Sequence, residues 1–262
     1  MGALTGQGVV VTGAGRGIGR ALAARAAQEG ARVVVNDLDA GTAQAVADEI
    51  GGTAIAGDVT APDALIAEAS EALGRVDVFF ANAGIDGAGG PDSLQTPDDA
   101  WDRVLDVNVM AHVRAARALV PRWLEDGGGG RFVVTASAAG LLTMIGSAPY
   151  SVTKHAAVGF AEWLSVTYGA RGIDVHAICP QGVKTQMLED AGPLQALLSR
   201  DTALEPEQVA DAAFAAIEEG RFLVLPHPEV AGYYAARASD TERWLGGMRR
   251  LQQKVDEAGA LG

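Results

Sequence analysis

The N-terminal part of the chain joins an apolar strand to an alanine-rich helix through a turn of glycines. Residues 7–12 contain three successive valines, a run typical of a strand buried on both faces of a parallel sheet. The turn that follows reads Gly-Ala-Gly-Arg-Gly-Ile-Gly, and the helix continues to about Glu29. Glycines at such a turn let the backbone approach a ligand, and the helix N-terminus offers free N–H groups to a pyrophosphate. The pattern predicts a nucleotide-binding unit of a parallel α/β sheet.

The second strand predicts which dinucleotide binds. Residues 32–36 form a valine-rich strand that ends at Asp37, about 20 positions after the glycine turn. A carboxylate at this place can accept a hydrogen bond from the adenosine ribose and repels a 2′-phosphate, which favours NAD over NADP. Arg16 is a counter-signal, because a basic side chain in the glycine turn could meet that phosphate. We give Asp37 more weight, since a carboxylate beside a dianionic phosphate is costly with one arginine nearby.

Strand-like and helix-like segments alternate along the rest of the 262-residue chain. No polar linker interrupts them, which predicts one α/β domain with a doubly wound, Rossmann-like sheet, mostly parallel, and helices on both faces. Asp39 is expected to cap the second helix. Further strands are predicted at residues 53–57, 76–81, 131–135, 173–178 and 222–225, and further helices at residues 39–50, 62–73, 98–124, 150–168 and 209–217.

Several strand exits carry residues suited to a bound nucleotide. Asp58 and Val59 follow the third strand and could flank an adenine ring, and the small residues after Asn82 would let a ring or ribose lie against the backbone. The turn at residues 179–185 lies at the same sheet edge, where ligands collect in open α/β folds. The residues at these exits that suit contact with a bound nucleotide are Asp58, Val59, Asn82, Ala83 and Gly84.

A serine, a tyrosine and a lysine form the candidate reactive group. Ser137 follows the fifth strand, and Tyr150 and Lys154 lie one turn apart if Pro149 opens a helix. A phenol titrates near pH ~10 in water, and a neighbouring ammonium lowers that pKa and favours the phenolate. Tyr150 is therefore expected to act as an acid-base group while Ser137 holds a substrate oxygen beside it.

Composition and net charge argue against several other functions. A net charge of −13 argues against nucleic acid, whose phosphates require a basic surface, and weakly against anionic membranes. The single cysteine, Cys179, cannot form an internal disulfide, and no basic region precedes the first strand, so we expect a cytoplasmic protein rather than a secreted one. The four histidines lie far apart, which predicts no metal site.

Three segments outside the periodic pattern remain. Residues 86–97 are predicted to form a surface loop. Residues 186–200 are interpreted as an apolar lid over a substrate pocket, with an ordinary amphipathic helix as the alternative. The extension at 228–262 carries Tyr233, Tyr234, Trp244 and Met248, which suit either a subunit contact or packing on the same domain.

Taken together, the motifs resemble the short-chain dehydrogenase/reductase family over roughly residues 5–225. The glycine spacing Gly13-x3-Gly17-x-Gly19, with Ile18 in place of a further glycine, is followed in order by Asn82-Ala83-Gly84, Asn108, Ser137 and Tyr150-x3-Lys154. The resemblance implies a seven-stranded doubly wound sheet, hydride transfer between NAD(H) and a substrate carbon, and a homo-oligomer, either a tetramer or a dimer.

The same resemblance implies individual roles. Tyr150 would be the general acid-base, Lys154 would lower its pKa and bind the nicotinamide ribose, and Asn108, otherwise interpretable as a satisfied core amide, would hold a relay water. Gly13, Gly17, Ile18 and Gly19 would contact the pyrophosphate and a ribose, and Asn82 the nicotinamide side. The turn residues Pro180, Gly182, Val183 and Thr185 would also contact the cofactor, the last two at its carboxamide. The chain departs from the family at Pro180-Gln181-Gly182, where the glycine has moved one place.

The expected partner is a small or medium, largely apolar secondary alcohol or ketone. A catalytically silent NAD-binding sensor or assembly protein on the same fold is the alternative, and the intact Ser137, Tyr150 and Lys154 argue against it. A methyltransferase is disfavoured, because it has no use for a tyrosine-lysine pair. The substrate itself and the physiological direction are left open by the sequence.

Overall fold

Seven parallel strands form one sheet at the centre of the protein. The computed structural model describes residues 2, 4–87, 92–190 and 203–257. The strand order is β3-β2-β1-β4-β5-β6-β7, so the chain starts in the middle and winds first to one edge and then to the other. The strands are β1 Gly8–Thr12, β2 Arg32–Asp37, β3 Thr53–Ala56, β4 Val78–Ala81, β5 Gly130–Thr135, β6 Ile173–Ile178 and β7 Leu223–Val224.

Helices cover both faces of this sheet, which confirms the doubly wound α/β fold predicted from the sequence. Side chains of α1, α2 and α8 build the apolar core on one face, and those of α3, α5 and α6 build it on the other. The helices are α1 Gly17–Gln28, α2 Ala40–Ile50, α3 Pro62–Leu73, α4 Asp98–Leu105, α5 Ala111–Glu125, α6 Ala148–Tyr168, α7 Gln186–Glu189, α8 Pro206–Glu218, α9 Glu229–Ser239 and α10 Thr241–Glu257.

The valine run of β1 explains why it occupies the centre. Val10 belongs to one core, while Val9 and Val11 belong to the other, because successive side chains of a strand point to opposite faces. All three are fully buried. Burying a side chain of this size contributes about 1.5–3 kcal/mol, so a strand that is apolar on both faces is most stable between two helical layers.

The helix predicted at residues 98–124 is interrupted in the structure. A π-helical turn, Asp106–Met110, separates α4 from α5 and contains Asn108. The Asn108 side chain accepts a hydrogen bond from the Ile85 N–H at 2.9 Å and donates one to the Ile85 carbonyl at 2.7 Å. Hydrophobic periodicity carries no sign of this turn, because its partner is 23 residues away in sequence.

Most other differences concern element ends. β4 begins at Val78 instead of residue 76, and β7 is shorter than predicted. α8 begins before residue 209, because Pro206 occupies its first turn and Glu205 and Gln208 form a capping box. Within the described ranges, no helix combines the length and apolar character needed to cross a bilayer.

The two C-terminal helices fold back onto the domain. Tyr233 and Trp244 pack against the core that lies beneath α6, while Tyr234 remains exposed. Arg237 of α9 donates hydrogen bonds to the Leu141 carbonyl and to the His155 ring. Of the segment interpreted as a lid, the structure describes α7 and Asp190, and residues 191–200 lie outside the described residues.

Replacement of the predicted cap of α2 tests the local stability of the nucleotide half. Asp39 accepts hydrogen bonds from the Gly41 and Thr42 N–H groups, at 2.8 and 3.1 Å, as a helix N-cap. We expect Asp39→Ala to lower the free energy of unfolding by about 1 kcal/mol, measured by urea denaturation. Glu68→Ala, an exposed position in the middle of α3, serves as the control and is expected to change stability by less than about 0.5 kcal/mol. Equal stability of the two variants would contradict the capping role.

Candidate active site

A cavity of about 1260 Å³ lies at the carboxyl ends of the strands. It includes the exits of β1 and β4, between which the strand order reverses. Ligand pockets usually measure ~300–1,000 Å³, so this one has room for a dinucleotide and a second molecule. The predicted site residues on its wall are Gly13, Arg16, Gly17, Ile18, Gly19, Asp37, Asp58, Val59, Asn82, Ala83, Gly84, Ser137, Tyr150, Lys154, Pro180, Gly182, Val183 and Thr185.

The glycine turn is shaped for a ligand that needs N–H donors. Gly13 and Gly17 have φ values of +59° and +54°, in the left-handed region that favours glycine. A Cβ on Gly13 would lie 2.9 Å from the Cα of Ala83. Helix α1 begins without a side-chain cap and without an acidic residue in its first turn, so neither Arg16 nor a first-turn carboxylate occupies its N-terminal N–H groups. These residues therefore fit the pyrophosphate of a dinucleotide.

Asp37 is held on the cavity wall by backbone groups. One carboxylate oxygen accepts the Gly15 N–H at 2.9 Å, and the other accepts the Asp39 N–H at 3.2 Å. A Cβ on Gly15 would lie 2.9 Å from the Asp37 carboxylate, so glycine is needed there for close approach. The carboxylate has lone pairs left for a ribose hydroxyl.

Asp58, at the exit of β3, stays ionised. Its carboxylate accepts the Thr60 N–H at 2.9 Å and lies 3.4 Å from the Arg103 guanidinium. The Thr60 hydrogen bonds, and after them the Arg103 charge, lower the Asp58 pKa more than its partial burial raises it. Sequence reasoning missed Arg103, which lies on α4 and lines the same cavity.

Asn82 and Thr12 connect the exits of β4 and β1. The Asn82 side chain donates to the Thr12 carbonyl at 2.9 Å and to the Gly13 carbonyl at 3.3 Å. The Thr12 hydroxyl accepts the N–H groups of Asn82 and Ala83 at 2.9 and 3.1 Å. Both N–H groups of the Asn82 side-chain amide are therefore used in hydrogen bonds to Thr12 and Gly13, at the start of the glycine turn. The sequence analysis did not identify Thr12 as a site residue. The available signal was its position at a strand exit, directly before the glycines.

Ser137 and Tyr150 come together from different elements. Ser137 leaves β5 and its hydroxyl caps a short 3₁₀ turn by accepting the Ala139 N–H at 3.1 Å. Tyr150 lies in the first turn of α6, which Ser147 caps by accepting the Tyr150 N–H at 3.3 Å. Burial raises the Tyr150 pKa above its ordinary value, and a hydrogen bond with Ser137 acts in the opposite direction.

Lys154 lies beneath the Tyr150 ring. Its ammonium is 5.5 Å from the centre of that ring and donates a hydrogen bond to the Thr135 carbonyl at 3.0 Å. The lysine is buried, which lowers its own pKa to about 8. The expected lowering of the Tyr150 pKa by Lys154 is therefore not the dominant effect, because burial raises the Tyr150 pKa and disfavours charge on both groups.

Asn108 is the one predicted site residue that does not line the cavity. Besides its two bonds to Ile85, its amide donates to the Thr153 hydroxyl at 3.1 Å. A Cβ on Gly84 would lie 3.2 Å from the Asn108 side-chain oxygen and 3.3 Å from the Lys154 nitrogen. Asn108 thus supports the wall directly behind Lys154.

Two further parts of the wall were not identified from the sequence. Asp86, expected in a surface loop, is exposed and lies on the cavity wall, where its pKa is raised by partial desolvation and, to a smaller degree, by the charge of Asp190. The charge of Asp86 also acts on Tyr150. One face of α10 closes another side of the cavity. Neither segment carried a motif, so only tertiary packing places them here.

Comparison with known proteins agrees with this geometry. The family model described as short chain dehydrogenase matches residues 7–195. The 1-deoxy-11-beta-hydroxypentalenate dehydrogenase of Streptomyces avermitilis is 35% identical over 245 residues, which cover 90% of each chain. An uncharacterized NAD-dependent oxidoreductase of Mycobacterium tuberculosis is 35% identical over 215 residues, covering 74% of this chain and 78% of the relative.

Solved structures are similar as well. A short-chain dehydrogenase/reductase from Burkholderia phymatum, in complex with NAD, superimposes with a TM-score of 0.84 at 29% identity, covering 92% of this chain and 96% of the other. A 3-ketoacyl-(acyl-carrier-protein) reductase from Brucella melitensis, complexed with NADH, has a TM-score of 0.76 at 28% identity, with 85% and 96% covered. On its fold, its site and these similarities, the chain belongs to the short-chain dehydrogenase family.

Proposed function

We propose that this protein transfers a hydride between NAD(H) and a secondary alcohol or ketone, with Tyr150 as the general acid-base. The observation that carries the proposal is the convergence of Ser137, Tyr150 and Lys154, whose ammonium lies beneath the Tyr150 ring, in the cavity that also contains the uncapped start of α1. The relative named as an NAD-dependent oxidoreductase and the neighbours solved with NAD or NADH support the cofactor.

The chain's own residues account for the proton. In oxidation, the Ser137 hydroxyl and the Tyr150 phenolate hold the alcohol oxygen, the carbon loses a hydride, and the alcohol O–H proton passes to the phenolate oxygen. In reduction, Tyr150 returns a proton to the carbonyl oxygen as the carbon gains the hydride. When bound, NAD supplies the hydride acceptor and, in its oxidised form, a positive charge. That charge and the Lys154 ammonium favour the phenolate, which burial alone disfavours.

The wall of the cavity supports an apolar substrate. Leu142, Met144 and Ile145, from the loop after Ser137, line it together with Met187. The relative that acts on 1-deoxy-11-beta-hydroxypentalenate supports a hydroxylated compound as the substrate. NAD preference leans towards oxidation as the physiological direction.

We also propose that the protein forms a homo-oligomer through α6. Val152, Trp163 and Val166 share one face of this helix, by their spacing, and are 49%, 54% and 80% exposed. An apolar helix face of this kind suits a second copy of the chain.

Replacement of Tyr150 tests the proposed chemistry. Tyr150→Phe removes the exchangeable proton and keeps the ring, so we expect kcat/KM for secondary alcohols to fall by about 10²–10⁴-fold, measured from NADH absorbance. NADH binding, followed by fluorescence, should remain. The matched control is Tyr168→Phe on the same helix, outside the cavity wall, which should keep full turnover. Full turnover by the Tyr150 variant would eliminate Tyr150 as the acid-base.

Replacement of Asp37 tests the choice of cofactor. Wild-type protein should bind NADH more tightly than NADPH, because the Asp37 carboxylate repels a 2′-phosphate. We expect Asp37→Ala to narrow the ratio of the two dissociation constants by about tenfold or more. Asp48→Ala, another carboxylate removal in the same half of the protein and outside the cavity wall, should leave the ratio unchanged. If Asp37→Ala left the ratio of the NADPH and NADH dissociation constants unchanged, the preference for NADH would have to come from other groups.

Burial of Lys154 predicts that the stability of the protein depends on pH. Folding lowers the Lys154 pKa from 10.5 to about 8, so between these values the unfolded chain binds more protons than the folded chain. Stability therefore rises with pH through this window, and the full effect of such a shift is about 3 kcal/mol. In unfolding experiments without cofactor, Lys154→Met should lose this rise, whereas Lys184→Met, at an exposed lysine, should keep it. Parallel stability profiles of wild type and Lys154→Met would contradict the shift.

A further inference from the structure

Helix α10 presents a mixed cationic and apolar face to the cavity. Arg243, Arg250 and Lys254 all line it. Their spacing of seven and four residues places them on one side of the helix, over about 16 Å of its length at ~1.5 Å per residue. Between them, the same wall is formed by the apolar side chains Trp244, Met248 and Leu251.

Within the part of the chain that the structure describes, these cations have no acidic partner. Among the described residues, no carboxylate lies within 4.0 Å of any of the three, although the whole chain has a net charge of −13. The nearby Asp240 accepts the Arg243 backbone N–H at 2.9 Å and thereby caps α10. The Arg250 guanidinium folds back along its own helix, 3.7–3.8 Å from where the Cβ atoms of Gly246 and Gly247 would lie. All three head groups are thus available to a ligand.

Two carboxylates, opposite in charge to the cations of α10, lie on the part of the wall near the reacting group. Asp86 and Asp190 line the cavity close enough to influence each other, and the charge of Asp86 reaches Tyr150. An anionic group on a substrate would be repelled there and attracted by α10. The distribution of charge therefore orients an amphiphilic anion with its neutral, reacting end at Tyr150.

We propose that the substrate is an apolar alcohol or ketone carrying an anionic group, a carboxylate or a phosphate, and that Arg243, Arg250 and Lys254 bind this group. The inference rests on the proposed hydride transfer and adds the substrate class to it. Guanidinium and ammonium groups hold both kinds of anion through charge-assisted hydrogen bonds. The row Trp244, Met248 and Leu251 holds the apolar skeleton between the anion and the reacting carbon.

Matched substrates separate the anion from the rest of the molecule. We would assay NADH oxidation with a panel of medium-chain and alicyclic keto acids, their methyl esters and their coenzyme A thioesters. The acid or the thioester should have a kcat/KM at least about tenfold above that of the ester, and its KM should rise with added NaCl. A preference for the acid would show that the anion bound by α10 is a carboxylate, and a preference for the thioester would show that it is a phosphate. Esters that react as well as both anions would overturn the proposal.

Variants locate the effect on α10. The triple replacement Arg243→Gln, Arg250→Gln and Lys254→Gln should remove the preference for the anion while the ester is turned over as before. Arg249→Gln, an exposed arginine of the same helix outside the cavity wall, is the control and should keep the preference. If the triple variant instead weakens NADH binding, the cations serve the cofactor and the proposal is wrong.

A binding measurement keeps this inference distinct from the proposed function. Decanoate and decanol would be titrated into the NADH complex and followed by NADH fluorescence. Decanoate that binds at least about tenfold more tightly, in the wild type and not in the triple variant, supports the anion site even if no panel member is turned over. Equal binding of the two compounds overturns it. A protein that binds decanoate and NADH but turns over no panel member counts against the proposed hydride transfer alone.

Discussion

Hydrogen bonds between the ends of β1 and β4 hold the two halves of the site in place. The Thr12 hydroxyl accepts two backbone N–H groups of the Asn82 turn, and the Asn82 amide donates back to the end of β1. These strands are neighbours at the point where the strand order reverses, so their bonds set the geometry of the crevice. A buried donor or acceptor left unpaired costs about 1–3 kcal/mol, which makes this connection a strong constraint. The glycine turn lies on one side of it and Lys154 on the other.

Burial shapes the electrostatics of the reactive group more than pairing does. The pKa of Tyr150 is raised and that of Lys154 is lowered, so the protein by itself favours the neutral form of each. The ammonium bonds to the Thr135 carbonyl, and Asn108 fixes the wall behind it through Ile85. Among the described residues Lys154 has no carboxylate partner; a buried cation of this kind lowers stability, and it is also what a developing oxyanion or phenolate requires. Stability and proposed function therefore make opposite demands at this position.

The C-terminal helices change how the substrate pocket is understood. The sequence suggested that residues 186–200 cover the pocket; α7, from the start of this segment, lines the cavity together with the loop after Ser137. Helix α10 adds a third wall that contains cations, and α9 ties this wall to the Ser137 loop through Arg237 and the Leu141 carbonyl. In the proposed anion site, substrate choice depends on a segment beyond the part of the chain that matches the family model.

Local sequence patterns were enough to predict the parallel sheet, the glycine turn before α1, the cap at Asp39 and the proximity of Tyr150 and Lys154 on one helix. Each of these depends on neighbours a few residues apart, or on a periodicity that follows directly from helix and strand geometry. Tertiary structure alone decided the π-helical turn at Asn108, the place of Asp86 and α10 on the cavity wall, and the direction of the pKa shifts. Their physical cause is contact and burial among residues distant in the chain, which no local pattern encodes.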